Sequence, residues 1–214
     1  EICACLVGSE MCIRDSRDIG LIEKKLRQQK QTVLQKRREL ERIERKIDHR
    51  LNWLSDAQSV PLDTVSLIRT PACRIVWMDD DMKIDGALDM EAPIRRLDRS
   101  DAEAVVFLGK VGLGISAEHL IEGKTRRYDG IFLMLDNEDI YNEDTLMLPE
   151  MQCVRLRFCG SHTEAPEHYD KLLAYIAEHS LRISGFSREI TLIDYGVTND
   201  PEKFVTEICI PVDE

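Results

Sequence analysis

Three absences limit what this sequence encodes. No uninterrupted apolar run approaches the roughly 18 to 20 residues that cross a bilayer, and no charged leader followed by an apolar stretch and a cleavage site opens the chain. No CxxC pair occurs, and an odd number of cysteines, 7, fits reduced thiols better than a disulfide framework. We therefore predict a cytoplasmic protein that has no membrane partner.

Proline is also absent from residues 17–54, where the only glycine is Gly20. Apolar residues recur there at intervals of seven, as the a positions of a heptad repeat do, and isoleucines occupy two of the d positions. The residues predicted to form the dimerisation seam are Ile19, Leu26, Val33, Leu40, Ile43, Ile47 and Leu54. Residues 17–54 are thus predicted to be one long coiled-coil dimerisation helix.

The middle of this seam is polar, which bears on how two helices would pair. Gln29, Lys36 and Arg50 occupy the other d positions. An antiparallel homodimer would set the polar middle of one helix near that of the other, whereas a parallel pair would stack Lys36 on Lys36 at a cost in energy. A single surface helix lying on its own domain remains the alternative.

The charge of the chain changes sign after this helix. Residues 17–54 contain 12 Lys/Arg against 6 Asp/Glu, a net charge of +6, whereas residues 55–214 contain 16 against 31, a net charge of −15. The basic part has interspersed acidic residues and no aromatic residue before Trp53, which favours a solvated coiled-coil flank over a nucleic-acid patch. The acidic part favours the approach of cations.

The remainder of the chain reads as a linker, residues 55–62, and one domain, residues 63–214. Its two halves, about 63–136 and 144–214, repeat the order β-α-β-β, and the first helix begins near Pro93. Pro71 corresponds to Pro149 at an offset of 78 residues, and residues 131–135 correspond to 208–212 at an offset of 77. We predict an α+β fold in which the duplicated halves form one antiparallel sheet, with helices on one face and a ligand cleft on the other.

One acidic residue interrupts the last predicted strand, "KFVTEICIPV". Successive strand side chains face opposite ways, so Glu207 shares a face with Val205 and Cys209. A carboxylate among apolar neighbours needs water or a partner, because its burial without one costs several kcal/mol. We predict that Glu207 lines the cleft and neutralises a bound cation; a solvated glutamate on an open sheet face is the alternative.

Three stretches carry a resemblance to a known family: "TEICIPV", "LIDYGVTNDPEKF" and "FCGSHTEAPEHYDKLLAYI". With the preceding long helix, residues 17–214 resemble the effector half of MerR-type transcription regulators that have a GyrI-like domain. The resemblance implies two related modules around a cleft, an antiparallel coiled-coil homodimer, and small, lipophilic, cationic effectors. It also implies that a glutamate of the final strand contacts the ligand, and this residue maps onto Glu207.

The resemblance also marks a departure at the start of the chain. Such regulators begin with a winged helix-turn-helix, and no such segment precedes Ile19. The resemblance therefore implies that promoter DNA is bound only through an N-terminal domain missing from this chain. Residues 1–16, "EICACLVGSEMCIRDS", have no helical or strand period, and we expect them to be an artefactual leader.

Further residues are candidates for the ligand site. Glu189 is a possible second cleft acid, with a strand-edge glutamate in water as the alternative. The aromatic residues predicted to stack on a cation are Trp77, Tyr128, Phe158 and Tyr195, each with a core position as the alternative. The spacing of Cys159, His162 and His168 is not a zinc pattern, and the glycines of "GKVGLG" at 109–114 indicate a turn rather than a phosphate loop. No metal and no cofactor are predicted.

Three functions remain open at this point. The leading prediction is a sensing and dimerising part of a transcription regulator, without catalysis. The alternative is a GyrI-like small-molecule hydrolase in which the cleft glutamate assists the attack of water, although no Ser/His/Asp or Cys/His arrangement is evident. A purely structural dimerisation module would leave the acidic cleft unexplained.

Overall fold

A computed structural model describes residues 19–82, 111–136 and 144–213 of the chain. The expected leader, residues 1–16, and the helix predicted to begin near Pro93 lie outside these residues. The chain divides into two compact units between Arg50 and Leu51. Within the described residues, no helix has the length and apolarity that crossing a membrane requires.

One long helix, α1, runs from Ile19 to Ser59. Its 41 residues contain no proline, and at about 1.5 Å per residue they extend roughly 60 Å. The predicted seam residues up to position 50 all have exposed side chains: Ile19, Leu26, Val33, Leu40, Ile43 and Ile47. Leu54 differs, because it belongs to the second unit and packs against a buried cluster there.

The second unit is built on an antiparallel sheet, and its described helices are short. The strands are β1 Ser66–Thr70, β2 Cys73–Met82, β3 Val111–Gly114, β4 Tyr128–Leu135, β5 Leu146–Leu148, β6 Met151–Cys159, β7 Arg182–Ile183, β8 Arg188–Ile193 and β9 Val205–Asp213. The helices are α2 Ala117–Ile121, α3 Ala165–Glu178 and a 3₁₀ turn at Pro201–Lys203. Helix α3 has a proline in its first turn.

Strand order shows the internal duplication directly. The sheet has the order β1-β6-β9-β8-β3-β4-β2-β5, and β7 pairs with β9. On either side of the β8–β3 contact the order is the same, since β8, β9, β6 and β1 correspond to β3, β4, β2 and β5. Pro71 lies between β1 and β2, and Pro149 lies between β5 and β6. The predicted α+β class with a long N-terminal helix and an antiparallel sheet is confirmed.

The two faces of this sheet carry different cores. On one face, Ile208, Ile210 and Val212 join a buried cluster with the apolar stripe of α3, which contains Tyr169 and Leu172. On the other face, a second cluster contains Phe132, Ile190 and Val205 together with residues from the end of α1, of which Ala57 is fully buried. Alternation along the strands therefore directs successive side chains into two separate environments.

The glycines at 112 and 114 serve a different purpose from the turn that the sequence suggests. Both lie within β3, where a Cβ at Gly114 would come within 2.6 Å of the Trp77 ring. Gly130 on β4 has the same neighbour, at 2.4 Å. At Gly112 and Gly114 the turn prediction is wrong, because both positions need to be small: a Cβ would come within 2.4 Å of the Phe132 ring at Gly112 and within 2.6 Å of the Trp77 ring at Gly114. Gly109 lies outside the described residues.

Candidate functional site

On β8, Glu189 points to one face of the sheet, and its neighbours Arg188 and Ile190 point to the other. Glu189 pairs in register with Ile208, which belongs to the cluster under α3. Ile190 pairs with Glu207, and Arg188 pairs with Cys209, so these side chains share the opposite face. The two glutamates singled out from the sequence, Glu189 and Glu207, therefore lie on different faces of the sheet and cannot line one cleft.

Glu189 is the centre of a buried polar cluster. Its side chain has no solvent exposure. The hydroxyl of Tyr128 donates to both carboxylate oxygens, at 2.9 and 3.0 Å, and Nδ1 of His162 lies 2.6 Å from Oε1. We call Glu189, Tyr128 and His162 the Glu189 cluster. The sequence-predicted residues Glu189 and Tyr128 are thus brought into direct contact.

The electrostatics of this cluster depend on burial. Burial raises the pKa of the Tyr128 phenol well above its usual value, and the neighbouring Glu189 carboxylate raises it further. Tyr169 of α3 shows the same direction for the same two reasons. Both phenols therefore stay protonated and act as hydrogen-bond donors at any physiological pH. Described partners of Glu189 are phenols and an imidazole, and none is a lysine or arginine.

Glu207 has a different environment, because its carboxylate is paired with an arginine. Nε of Arg157 donates to Glu207 at 2.6 Å, and the Arg155 guanidinium lies 3.8 Å away. Arg157 is 3% exposed and also donates to the backbone oxygen of Asp56 at 2.6 Å and to its carboxylate. The pKa of Arg157 is raised: burial acts to lower it, but Glu207 and Asp56 outweigh that effect. The carboxylate flanked by Val205 and Cys209 therefore has an internal partner.

The other predicted ligand residues lie apart from one another. Trp77 packs on Phe186 at 4.5 Å between ring centroids and donates from Nε1 to Asp79 at 2.7 Å. Phe158 is fully buried under α3 and stacks on His168 at 3.9 Å. Tyr195 is exposed and meets the edge of another aromatic ring. Only Tyr128 among the four aromatics contacts a candidate carboxylate through an observed hydrogen bond.

The sequence did not indicate that His162 contacts Glu189 or that Arg157 contacts Glu207, although both are functional candidates. His162 lies in the stretch "FCGSHTEAPEHYDKLLAYI" that carries the family resemblance, and its contact residue, Glu189, is 27 positions away. Arg157 stands 50 positions from Glu207, and nothing in the local pattern links them. The register β6–β9, which pairs Arg157 with Glu207, supplies the missing information.

Three cavities are lined by described residues. Their volumes are about 630, 710 and 270 Å³, and neither Glu189 nor Glu207 is among their lining residues. The largest of these three has Arg188 in its wall. In the described part of the chain, no group of three or more His, Cys, Asp or Glu side chains has the arrangement of a metal site.

Comparisons with solved structures show the fold. A structure of EcmrR in complex with DNA superposes with a TM-score of 0.58 at 16% identity, covering 97% of this chain and 77% of that one. The EcmrR C-terminal domain gives 0.50 at 13% identity, covering 71% and 98%. A hydrolase from Listeria innocua gives 0.45 at 14% identity over 74% and 96%, a likeness too weak to indicate function.

No curated protein matches the sequence. A family profile does match it: that of the GyrI-like small molecule binding domain, over residues 65–213. These residues include every strand from β1 to β9, as well as Glu189, His162 and Glu207. The chain therefore belongs to the family of GyrI-like small molecule binding domains.

Proposed function

We propose that this chain is the effector-binding and dimerisation portion of a MerR-type transcription regulator, and that its effectors are small lipophilic cations. Membership of a small-molecule-binding family and the EcmrR-like arrangement of a long helix before the domain support the regulatory part. Promoter DNA is the proposed target of the whole regulator. The observation that carries the cation part is the fully buried Glu189 carboxylate, whose described partners are phenols and an imidazole.

Burial of an ionised carboxylate costs several kcal/mol unless a cation compensates it, and among the described partners of Glu189 only the His162 imidazole can carry a positive charge. A ligand cation that approaches Glu189 removes part of this cost, so affinity comes from charge rather than from an exact fit of shape. Such a site accepts varied cations that have apolar bodies. The Tyr128 ring adds an aromatic wall, and a cation over its face gains about 0.5 to 2 kcal/mol.

Glu207 is the weaker of the two candidates for this role, although the sequence favours it. Its carboxylate already has Arg157 at 2.6 Å, so a ligand cation would have to compete with a buried guanidinium. We therefore propose Glu189 as the carboxylate whose charge the effector compensates. The assignment of Glu207 stays a prediction that the same experiment tests.

Calorimetric titration with tetraphenylphosphonium separates these assignments. We expect Glu189→Gln to weaken binding at least tenfold, about 1.4 kcal/mol, and Glu207→Gln, the matched control, to leave it within threefold. Triphenylphosphine oxide, a neutral analogue, should bind both variants and the parent alike. If only Glu207→Gln weakens binding of tetraphenylphosphonium, the cation site lies on the last strand. Equal affinity in all three proteins would contradict a cation site at either residue.

A second candidate function, ester hydrolysis, is favoured by one chain of contacts. Glu189 lies 2.6 Å from Nδ1 of His162, and Nε2 of that histidine lies 3.3 Å from the hydroxyl of Thr191. A carboxylate, an imidazole and a hydroxyl in this order resemble the arrangement that activates a nucleophile, since the imidazole accepts the hydroxyl proton while the carboxylate orients the ring. Glu189 and Thr191 are neighbours on β8, but the sequence did not link them to His162, which lies 27 and 29 positions away from them.

Turnover of p-nitrophenyl acetate tests this second function. Hydrolysis that disappears in Thr191→Val and in Glu189→Gln, but persists in Glu207→Gln, would establish it. The valine variant keeps the shape of the side chain and removes only the hydroxyl. A rate no greater than that of buffer in the parent protein would exclude hydrolysis of this ester and leave the sensing function.

A further inference from the structure

The sheet face opposite α3 is rich in arginine, although the domain as a whole is acidic. Arg155 and Arg157 of β6 and Arg188 of β8 point to this face, because they pair in register with Cys209 and Glu207 of β9. Their side chains are largely buried. Glu207 and Asp56 are the carboxylates that contact Arg155 and Arg157. Arg188 contacts neither.

Arg188 is a buried guanidinium without a carboxylate among the described residues. It is 7% exposed. Nη2 donates to Oγ1 of Thr70 at 2.9 Å and to Sγ of Cys153 at 3.3 Å, and Nη1 lies 3.7 Å from Sγ of Cys73. A guanidinium has five N–H donors, so these three contacts leave some of its N–H groups without an acceptor. Nε is buried and has no acceptor in the described part of the chain.

This environment is a costly one for a cation. Thiols are weak acceptors, and a buried charge without a counter-ion loses several kcal/mol of hydration. Burial acts to lower the pKa of Arg188, while Cys209 and the other two thiols raise it, so the guanidinium stays charged. A planar fork with free N–H groups is the arrangement that binds a carboxylate through two hydrogen bonds.

A cavity adjoins Arg188. Arg188 lines the cavity of about 710 Å³, a volume within the range of small-molecule sites. Much of the wall is apolar, formed by Leu148, Met151, Phe186, Pro211 and Val212. The ionic groups at its rim are already paired: Arg69 lies 3.0 Å from Glu150, and Asp213 lies 3.6 Å from Arg182.

We propose that this cavity is a second ligand site, separate from the Glu189 cluster, which binds a small organic carboxylate. The carboxylate accepts hydrogen bonds from the Arg188 N–H groups that Thr70, Cys153 and Cys73 leave without a partner, and an apolar body of the ligand fills the cavity. Because Arg188 and Glu189 are consecutive in β8 and point to opposite faces, the two sites have opposite charge preferences and no shared side chain.

Titration with 4-phenylbutyrate and its neutral amide, 4-phenylbutyramide, tests the proposal on the full chain. We expect the parent protein to bind the carboxylate at least tenfold more tightly than the amide, and to bind acetate far more weakly than either. In Arg188→Met this preference for the carboxylate should disappear. Arg69→Met is the matched control, since Arg69 lines the same cavity but is exposed and paired with Glu150, and it should keep the preference.

A folding control and further variants make the result of this titration decisive. Circular dichroism and thermal unfolding establish that Arg188→Met is folded; if it is not, Arg188→Lys replaces it, and loss of the planar fork should reduce affinity for the carboxylate at least threefold. Glu189→Gln should bind 4-phenylbutyrate as the parent does. Equal affinity of the parent for acid and amide, acetate binding as tightly as 4-phenylbutyrate, or an undiminished preference in the Arg188 variants would overturn the proposal.

Discussion

At the scale of single residues, local pattern predicted orientation but not partners. Alternation along the last strand correctly set Glu207 beside Val205 and Cys209, and it correctly implied that a carboxylate there needs a partner. The partner, Arg157, comes from β6, and only the pairing of strands distant in sequence brings it within 2.6 Å. The sequence therefore indicates that Glu207 needs a partner, but it does not indicate whether this partner is a ligand or an arginine.

The pair formed by Glu207 and Arg157 predicts a loss of stability on mutation. Glu207→Gln removes the charge opposite a buried guanidinium, and hydrogen bonds to charged groups contribute about 1.5 to 3 kcal/mol. We expect the free energy of unfolding to fall by about 2 kcal/mol in urea titrations. Asp56→Asn is the control: that side chain is 52% exposed, so its loss should cost under about 1 kcal/mol. Equal costs for the two variants would contradict this reading of the site.

At the scale of elements, the sequence was informative wherever one period dominated. The sequence of helix α3 has apolar residues at helical spacing and a proline in its first turn, and Tyr169, Leu172 and Ile176 are buried as that spacing requires. The strand β3 was missed because its glycines suggest a turn, whereas Gly112 leaves room for Phe132 and Gly114 for Trp77. A tertiary contact of this kind has no local signal.

The packing of α3 on β6 predicts a dependence of stability on pH. His168 of α3 stacks on Phe158 of β6 at 3.9 Å. Burial lowers the pKa of His168, and the charge of Lys171 lowers it further, against the opposing effects of Asp63, Glu167 and Glu164. Since the folded state favours the neutral ring, the unfolded state binds the proton more readily. The contribution is complete above the unfolded pKa of about 6.5 and declines as pH falls below it.

The variant His168→Phe keeps an aromatic ring against Phe158 and removes the titration. We expect urea unfolding to show that the parent loses more stability than the variant between pH 8 and pH 5.5. Other titrating groups are common to both proteins, so they cancel in the difference. Parallel stability curves for the two proteins over this range would contradict a neutral His168 in the folded state.

At the scale of the whole molecule, the internal duplication could be recognised from the order of the predicted elements and from the offset between corresponding residues of the two halves. The correspondence of residues 131–135 with 208–212 matches the positions of β4 and β9 in the two halves of the sheet. The predicted GyrI-like resemblance is confirmed by the family match. The sequence did not reveal that Glu189 and Glu207 occupy opposite faces. Their faces depend on the register between β8 and β9, which neither strand shows by itself.

Helix α1 predicts a concentration-dependent assembly. Its seam is exposed along residues 19–47 of a single chain, and a row of exposed apolar side chains at heptad spacing is stable in water only against a partner helix. We propose an antiparallel homodimer, and we expect sedimentation equilibrium to give a mass near twice the 24.6 kDa of one chain.

The double variant Leu26→Asp, Ile47→Asp should dissociate, because an antiparallel pair sets the two substituted ends against each other and buries four carboxylates in the seam. The control, Glu23→Gln with Glu41→Gln, changes charged residues of the same helix outside the a and d positions and should remain a dimer. Both variants should retain the far-ultraviolet spectrum of the sheet domain, whose buried clusters lie within residues 51–214. A parent protein that sediments as a monomer at tens of micromolar would refute pairing through this helix and leave the heptad pattern without a partner in solution.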